Sequence, residues 1–405
     1  MRQTASVYDE ILDYSNRANP YPLYAELRKT PVSRQEDGTY VVSTYAEIVA
    51  LLHDPRVSSD PRNLPEDHYR RVGGGLGGFI ERDPPDHDRG RRLTMRHFGP
   101  PHDPDRIDGL RPWFAEVVTS LIDRFGDRKQ VDIVDDFAYP FPVTVICRIL
   151  GVPREDEPRF HGWVDALAES IDPRRARDPE YQRKRAQAQA DLGRYLAELA
   201  QAHRRQPGDD LLSGLVTDPG PEGPMSREEL IGTARLLLFA GHETTVNLIT
   251  NGMLTLLRHP EVLERLRHEP DLVIGTVEEL LRYEPPVHFL PNRVAIDDID
   301  VAGSTIPKGS PIALALASGS RDPGRFRDPD RFDPERGDNQ HLGYGSGIHY
   351  CFGAPLAREE TQIALTELAH RLENPRLVAD PPPYRQSPIL RGPRHLLVEF
   401  DRVTA

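Results

Sequence analysis

Apolar side chains recur at intervals of three and four residues along much of the chain, which predicts a mainly helical protein. The longest such pattern runs from residue 226 to about residue 258. Ser226 and Glu229 have the spacing of a capping box, and Pro260 predicts that the helix ends just before it. At ~1.5 Å per residue this helix would be about 50 Å long. Strand-like runs such as PIALALAS and HLLVEF are short, so we expect small β-sheets beside the helices.

No linker-like segment interrupts these patterns, and we expect one domain over residues 1–405. The 51 basic and 64 acidic side chains leave a net charge of -13, which argues against a nucleic-acid partner. No stretch approaches the roughly 18 uncharged apolar residues of a membrane span, and the N-terminus lacks the apolar core of a signal peptide. Two cysteines far apart, Cys147 and Cys351, suit a reducing compartment, so we expect a cytoplasmic protein.

Cys351 lies in a glycine-rich segment, YGSGIHYCFG, which we call the cysteine segment (residues 344–353). Helical apolar spacing follows it, with Pro355 in the first turn, so Cys351 would come just before a helix N-terminus. The positive end of the helix dipole favours a thiolate there. Such a thiolate can be a nucleophile, a metal ligand or a haem ligand, and an inert cysteine is a further alternative. Structural zinc is disfavoured, because one cysteine and one nearby histidine do not make four ligands.

Polar residues interrupt the long apolar helix at its centre, where the sequence reads AGHETT over residues 240–245. The Thr244 hydroxyl could bond back to the Ala240 carbonyl and loosen the helix, which would open a groove. Two interpretations are open. The segment is either a kinked core helix whose polar groups face solvent, or a site where Glu243 and Thr244 relay protons into a buried pocket.

Two further groups of charged residues have an ordinary as well as a functional interpretation. Glu279 and Arg282 are three residues apart, which by itself is typical of a surface ion pair. Arginines cluster in DPPDHDRGRRLTMRHF, residues 83–98, where a solvated helix face is the default interpretation. His87 and Arg91 nevertheless lie one helical turn apart and could together bind a carboxylate.

In this order, the four motifs resemble those of the cytochrome P450 family, and the resemblance extends over nearly the whole chain. The cysteine segment is similar to the family's haem-binding signature, Phe-Gly-x-Gly-x-His-x-Cys-x-Gly, and departs from it at Tyr344, where phenylalanine is usual. The resemblance implies the P450 fold, with haem b between the long central helix and the helix after the cysteine segment. It also implies that Cys351 is the axial ligand of the haem iron. The matching positions are Gly345, Gly347, His349, Cys351 and Gly353.

The resemblance also implies roles for residues outside the cysteine segment. Glu243 and Thr244 would be the family's acid–alcohol pair for oxygen activation. Glu279 and Arg282 would be its Glu-x-x-Arg pair, which Arg336 completes as a buried structural network. The haem propionates would be bound by four side chains, namely His87, Arg91, Arg293 and His349.

The activity implied by the resemblance is that of a haem-thiolate monooxygenase. It would use O2 to oxidise, and most often to hydroxylate, a hydrophobic small molecule of secondary metabolism. Since no flavin or iron–sulfur domain is evident, we expect electrons from NAD(P)H through a separate ferredoxin reductase and ferredoxin. The ferredoxin would dock near Arg89, Arg92 and Arg96. The substrate pocket is expected to be lined by apolar residues, namely Leu236, Phe239, Ala240, Val287, Phe289 and Leu290.

Other functions use the same residues. A peroxygenase would consume H2O2 and need no proton relay, which the Glu243 and Thr244 pair argues against. Oxidative ring coupling would use the same haem, and a non-catalytic haem-binding protein would also keep Cys351. A cysteine hydrolase would need no haem at all.

Overall fold

The computed structural model describes residues 6–66, 68, 77–99, 105–170 and 178–404 of the 405-residue chain. Most of these residues are helical, as the apolar spacing predicts. Among the described residues, none of the helices has the length and apolar character needed to span a bilayer. The α-helices are α1 (Val7–Leu12), α2 (Tyr21–Leu27), α3 (Tyr45–Leu52), α4 (Asp86–Phe98), α5 (Asp105–Asp108), α6 (Arg111–Asp123), α7 (Pro140–Leu150), α8 (Glu157–Ser170), α9 (Pro179–Arg205), α10 (Leu211–Thr217), α11 (Arg227–Arg258), α12 (Pro260–Leu266), α13 (Leu272–Tyr283), α14 (Leu316–Gly319) and α15 (Ala354–Arg371).

The β-strands in the described part of the chain are short. They are β1 (Val32–Arg34), β2 (Tyr40–Val42), β3 (Val57–Ser58), β4 (Gln130–Asp132), β5 (Leu290–Ala295), β6 (Ile299–Val301), β7 (Ser304–Ile306), β8 (Pro311–Leu314), β9 (Arg376–Leu377) and β10 (Leu397–Glu399). They form a five-stranded sheet in the order β1-β2-β8-β5-β3, a three-stranded sheet in the order β4-β10-β9, and the pair β6-β7. The predicted fold class, mainly helical with small sheets, is therefore confirmed.

The five-stranded sheet and α3 share one apolar core. Val42 on β2, Ile48 on α3 and Leu314 on β8 are fully buried within it. β8 runs parallel to β2 and antiparallel to β5, with an irregular register between Leu290 and Arg293. The sheet thereby fixes the backbone of Arg293, one of the predicted propionate partners.

Helix α11 is a single helix of 32 residues, and both of its predicted ends are confirmed. The Ser226 N–H donates to a Glu229 carboxylate oxygen at 2.7 Å, and the Glu229 N–H donates to the Ser226 hydroxyl at 3.2 Å, so the capping box is formed. His259 separates α11 from α12, which begins at Pro260. The helix is continuous through residues 240–245, so the loosening expected there does not interrupt it.

The chain divides into two units, each with dense internal contacts. One unit comprises residues 1–57, 114–141 and 244–405 and contains α13, α15, the cysteine segment and nearly all of the strands. The other comprises residues 58–113 and 142–243 and is helical. Neither unit is a continuous stretch of chain, and α11 continues from one into the other. The single domain expected over the whole chain stays a prediction.

Glu279 and Arg282 on α13 form a fully buried ion pair. The Nε and Nη2 atoms of Arg282 donate to the two Glu279 carboxylate oxygens at 2.8 and 2.7 Å. Its remaining N–H groups donate to the backbone carbonyls of Ser320, Pro329 and Arg331. All five donors of the guanidinium are therefore used, which offsets the desolvation of a buried cation.

The Glu279 carboxylate accepts further bonds from residues 333–339. The Arg336 Nε lies 3.2 Å from it, and the Asp333 N–H and the Asn339 side-chain amide donate to it at 2.9 and 3.2 Å. The structure thus brings Glu279, Arg282 and Arg336 into one network. This network ties α13 to the stretch of chain that leads into the cysteine segment.

Arg282→Ala should lower the free energy of unfolding by about 3–5 kcal/mol, because it leaves the Glu279 carboxylate buried without its main partner. Arg265→Ala is the matched control, since Arg265 pairs with Glu269 at the surface, where an ion pair contributes about 0–1 kcal/mol. Urea unfolding of both variants measures the difference. Equal losses of unfolding free energy in the two variants would contradict a larger contribution from the buried ion pair.

Candidate active site

The cysteine segment closes on itself just before α15. The Cys351 N–H donates to the Tyr344 carbonyl at 2.9 Å. Gly353 is the N-cap of α15, whose first residue is Ala354. Cys351 is half-buried and precedes the helix as predicted, so the positive end of the helix dipole can stabilise its thiolate.

Two glycines of the cysteine segment have backbone angles that other residues rarely adopt. The φ angle is 69° at Gly345 and 70° at Gly347. A Cβ on Gly347 would also lie 2.3 Å from the Leu52 carbonyl oxygen at the end of α3, whereas a Cβ on Gly345 would have no atom within 4 Å. At Gly347, therefore, both the backbone conformation and the close packing require a glycine. At Gly345 the backbone conformation alone requires it.

A charged cluster of Glu278, His341 and Arg358 packs against the cysteine segment. The Arg358 guanidinium donates to both Glu278 oxygens at 2.6 and 3.0 Å, and it lies 4.7 Å from the centre of the Tyr344 ring. The His341 Nε2 atom is 3.1 Å from the Glu278 carboxylate. Burial raises the pKa of Glu278, but hydrogen bonds from His341 and Arg358 outweigh it and bring the pKa to about 2. An ionised Glu278 therefore links α13 to α15 beside Tyr344.

Tyr344 occupies the position where the family usually has phenylalanine. Its buried ring packs against those of His341 and Tyr350, with centroids 5.9 and 6.2 Å away. Burial and the nearby Cys351 raise the pKa of Tyr344 well above its usual value, so the hydroxyl stays protonated. Among the described residues this hydroxyl has no hydrogen-bond partner. A buried hydroxyl without a hydrogen-bond partner lowers the stability of the fold by about 1–3 kcal/mol relative to a hydrogen-bonded one.

The donor set at Cys351 suits haem better than a metal ion held only by protein side chains. Within the described ranges, the one group of three or more side chains close enough to hold a metal is Asp132, Asp135 and His395, and Cys351 is not part of it. Haem needs only an axial ligand from the protein on one face, because the porphyrin supplies the other ligands. A lone cysteine before a helix N-terminus therefore fits haem b.

The centre of α11 carries the predicted acid–alcohol pair in a buried stretch. His242, Glu243 and Thr245 are almost fully buried, so the interpretation in which these polar groups face solvent is wrong. Thr244 directly follows Glu243 in the continuous helix. Gly241 allows α7 to approach closely, because a Cβ there would lie 2.8 Å from the Ile146 side chain.

The four predicted propionate partners lie on different elements. His87 and Arg91 are both on α4, and the fully buried His87 has its Nδ1 atom 2.8 Å from an Asp88 carboxylate oxygen. Arg293 is on β5 and His349 is in the cysteine segment, and both are half-buried. Their joint binding of the propionates stays a prediction.

The arginines expected to receive a ferredoxin are already paired. Each binds a carboxylate from residues 218–229, with Arg89 on Glu229, Arg92 on Glu222 and Arg96 on Asp218. At about 100° per residue, these three arginines lie on the face of α4 opposite His87 and Arg91. These pairs reduce the positive charge that α4 offers to an acidic partner, and docking of a ferredoxin there stays a prediction.

The predicted pocket residues of α11 are apolar and mostly buried. Leu236 and Phe239 are buried, and Ala240 is half-buried. In the other unit, Val287 pairs with Leu390 in an isolated antiparallel bridge, so residue 287 contacts the C-terminal part of the chain. Contact of these residues with a substrate stays a prediction.

Phe289 and Leu290, the other two predicted pocket residues, differ in their surroundings. The Phe289 ring is almost fully buried, with its centroid 5.6 Å from that of Tyr8 and 5.8 Å from that of Tyr24. This packing favours a core role for Phe289. Leu290 is half-buried at the start of β5, and its role as a pocket residue stays a prediction.

The cysteine segment, the Glu279–Arg282 network and the acid–alcohol pair on α11 together define a class of protein. The model of the family Cytochrome P450 matches residues 10–400, so the chain belongs to the cytochrome P450 family. It is a monooxygenase with haem b as its cofactor.

Known relatives cover nearly the whole chain. Cytochrome P450 monooxygenase PikC of Streptomyces venezuelae is 40% identical over 397 residues, covering 95% of this chain and 92% of that protein. The 6-deoxyerythronolide B hydroxylase of Saccharopolyspora erythraea is 36% identical over 402 residues, covering 94% and 96%. The ligand-free crystal structure of CYP164A2 from Mycobacterium smegmatis matches with a TM-score of 0.90 at 38% identity, covering 97% and 99%. The predicted P450 fold is thereby confirmed.

Gly347→Ala should lower the haem content of the purified protein several-fold, because the new Cβ meets the Leu52 carbonyl oxygen at 2.3 Å. Gly345→Ala is the control, since it carries only the conformational cost of a left-handed residue, about 1–2 kcal/mol. The Soret absorbance per mole of protein and the thermal midpoint measure both effects. Equal haem contents in the two variants would contradict the packing role of Gly347.

Tyr344→Phe should raise the free energy of unfolding by about 1 kcal/mol, because it removes a buried hydroxyl that lacks a partner. Tyr350→Phe is the matched control in the same segment, where the ring is 40% exposed and little change is expected. Urea unfolding of the haem-loaded proteins gives both values. A loss of stability in Tyr344→Phe would show that the hydroxyl has a partner in the loaded protein.

Proposed function

We propose that this P450 hydroxylates a bulky hydrophobic small molecule of secondary metabolism. The observation that carries the proposal is Cys351, a lone cysteine held before the N-terminus of α15 by a bond to the Tyr344 carbonyl. The substrate class is supported by relatives at 36%, 36% and 39% identity. These are a 6-deoxyerythronolide B hydroxylase, a mycinamicin IV hydroxylase/epoxidase and a vitamin D(3) 25-hydroxylase.

The roles of the binding residues follow from their chemistry. When bound, haem b supplies the activation of O2 and the insertion of one oxygen atom into a C–H bond. Cys351 would hold the iron as a thiolate ligand and donate electron density to it. Carboxylates inside a protein need cationic or hydrogen-bonding partners, and the propionates would find them in His87, Arg91, Arg293 and His349.

Glu243 and Thr244 move protons in this proposal. Reduction of O2 consumes protons, and a buried site cannot draw them freely from bulk water. Glu243 and Thr244 both lie on the buried central part of α11, and in this proposal Glu243 brings in the proton that Thr244 receives. Thr244 then carries the proton at its Oγ1 atom.

In this proposal, apolar side chains exclude water and orient the substrate. They are Leu236, Phe239 and Ala240 on α11, and Val287 and Leu290 at and just before the start of β5. Phe289 packs against Tyr8 and Tyr24, and this packing holds the backbone of its neighbour Leu290 in place. A pocket of this composition suits a hydrophobic molecule.

A ferredoxin and a ferredoxin reductase supply electrons from NAD(P)H. The family model accounts for residues 10–400, so this stretch takes its electrons from outside itself. A docking surface near Arg89, Arg92 and Arg96 is part of the proposal. We also propose a cytoplasmic location, because a reducing compartment keeps Cys351 free for the haem.

The function is tested first by screening hydrophobic compounds for a low-spin to high-spin shift of the ferric spectrum. Compounds that shift it are then turned over with NAD(P)H and a surrogate ferredoxin system under isotopically labelled O2. We expect a hydroxylated product that contains one labelled oxygen atom. Turnover that proceeds with H2O2 but not with NAD(P)H and the ferredoxin system, or a coupled product without added oxygen, would overturn the proposal in favour of a peroxygenase or a ring-coupling enzyme.

Thr244→Ala should lower the product formed per NAD(P)H by about tenfold or more and raise H2O2 release, because the relay loses its hydroxyl. Thr255→Ala is the matched control on α11, where the hydroxyl already donates to the Asn251 carbonyl at 2.7 Å. Turnover driven by H2O2 should fall much less, since peroxide brings its own protons. Equal yields per NAD(P)H in the two variants would contradict the relay.

A further inference from the structure

Asp132, Asp135 and His395 form a group of potential metal ligands outside the cysteine segment, which we call the aspartate–histidine cluster. Asp132 ends β4, Asp135 lies in the turn Val134–Ala138, and His395 comes two residues before β10. One ligand atom from each side chain lies within 4.8 Å of the other two. All three residues belong to the same compact unit. The fold therefore brings a histidine to two aspartates, one of which is 263 residues away in sequence.

The imidazole of His395 faces both carboxylates with the same atom. Its Nδ1 lies 2.7 Å from Asp132 Oδ2 and 3.5 Å from Asp135 Oδ2. A tetrahedral zinc ion with bonds of about 2.0 Å places its ligand atoms about 3.3 Å apart. The separation from Asp135 already fits this value. The separation from Asp132 would have to increase by about 0.6 Å when a metal ion replaces the hydrogen between the two atoms.

The other oxygen of each aspartate is held by the surrounding chain. The Val134 and Leu396 N–H groups donate to Asp132 Oδ1 at 3.0 and 2.9 Å. The Arg394 guanidinium donates to Asp135 Oδ1 at 3.0 Å. Carboxylates that bind metal ions are commonly hydrogen-bonded in this way, because the outer bond orients the ligand oxygen. Each aspartate thus presents its Oδ2 atom to the space that the imidazole faces.

Charge and exposure at the cluster suit a divalent cation. Arg394 neutralises one of the two carboxylates, and the nearby Asp136 is paired with Arg128. With a neutral imidazole, one negative charge therefore remains. The side chains of Asp135 and His395 are 47% and 43% exposed, so water can reach the cluster and complete the coordination of an ion.

The types of ligand atom determine which ions suit the cluster. Ca2+ and Mg2+ prefer sites made of oxygen atoms alone, whereas imidazole nitrogen suits Zn2+, Ni2+ and Cu2+. We propose that the aspartate–histidine cluster binds a divalent transition-metal ion, of which Zn2+ is the probe, with water in the remaining positions. This site is separate from the haem chemistry and does not depend on the proposed function.

A bound ion would connect three segments of the chain. β4 and β10 already pair through Asp132 and Leu397, and the Ile133 N–H donates to the Leu396 carbonyl at 2.9 Å. The ion would add bonds from this pair of strands to the turn that carries Asp135. Because the unfolded chain does not hold the three ligands together, the ion stabilises the folded state and opposes local opening of these strands.

His395→Gln tests the site, because it removes the imidazole ligand and keeps a polar side chain of similar length. His268→Gln is the matched control, since His268 contacts one carboxylate, that of Glu264, with a side chain that is 72% exposed. Isothermal titration of the haem-loaded, untagged proteins with Zn2+ gives affinity, and elemental analysis after dialysis gives the number of ions. We expect one ion per chain in the wild type and in His268→Gln, and at least tenfold weaker binding in His395→Gln.

Amide hydrogen exchange locates the bound ion. Zn2+ should slow exchange in β4 and β10 of the wild type and of His268→Gln, and should have little effect there in His395→Gln. Equal slowing in His395→Gln would mean that Zn2+ acts elsewhere, and this would overturn the proposal. Absence of Zn2+ binding to the wild type would overturn it as well.

Asp135→Asn covers the case in which His395→Gln does not fold. It removes the charge of a ligand that is half exposed and leaves Asp132, whose outer oxygen holds the backbone, in place. We expect it to weaken Zn2+ binding several-fold, and unchanged affinity would contradict the site. A tenfold excess of Ca2+ should leave Zn2+ bound. Displacement by Ca2+ would overturn the assignment to a transition-metal ion.

Discussion

Holding the half-buried Cys351 side chain just before a helix N-terminus is the physical constraint on which the rest of this structure depends. The N-terminus of α15 offers it a partial positive charge, and the bond from the Cys351 N–H to the Tyr344 carbonyl fixes the backbone on which the sulfur is carried. Gly347 brings the cysteine segment against the end of α3, and the ionised Glu278 joins α13 to α15 through Arg358. Each of these contacts limits how far the backbone of the cysteine segment, and with it the sulfur, can move.

Arginine serves this protein mainly by pairing within the chain. Arg282 uses all five of its donors on Glu279 and on backbone carbonyls, and so ties α13 to the chain before the cysteine segment. Arg391 binds Glu284 and donates to the Arg17 carbonyl, which joins the C-terminal part of the chain to the N-terminal part. The arginines on the outer face of α4 pair likewise with residues 218–229. A count of charges along the chain therefore overstates how many cations are free to meet a partner.

Two buried carboxyl groups differ in their neighbours and hence in what they can do. Glu279 is surrounded by donors and serves as a fixed anion that organises the fold. Glu360 lies on α15 without an ion-pair partner among the described residues, and burial raises its pKa well above the usual value. One carboxyl holds the structure by its charge, whereas burial favours the neutral form of the other. The same residue type thus has different charge states in two buried surroundings.

The sequence by itself determined the features that depend on neighbours along the chain. Apolar spacing, the Ser226–Glu229 capping box and Pro260 predicted α11, and the order of motifs predicted the family and the place of Cys351. The tertiary structure alone decided which distant side chains meet. Sequence reasoning missed Glu278, His341 and Arg358, although Glu278 adjoins the predicted Glu279. It also did not foresee that Arg92 and its neighbours pair with residues 218–229. Local spacing reports contacts within a helical turn or a strand, whereas pairs 50 or more residues apart depend on how the elements pack.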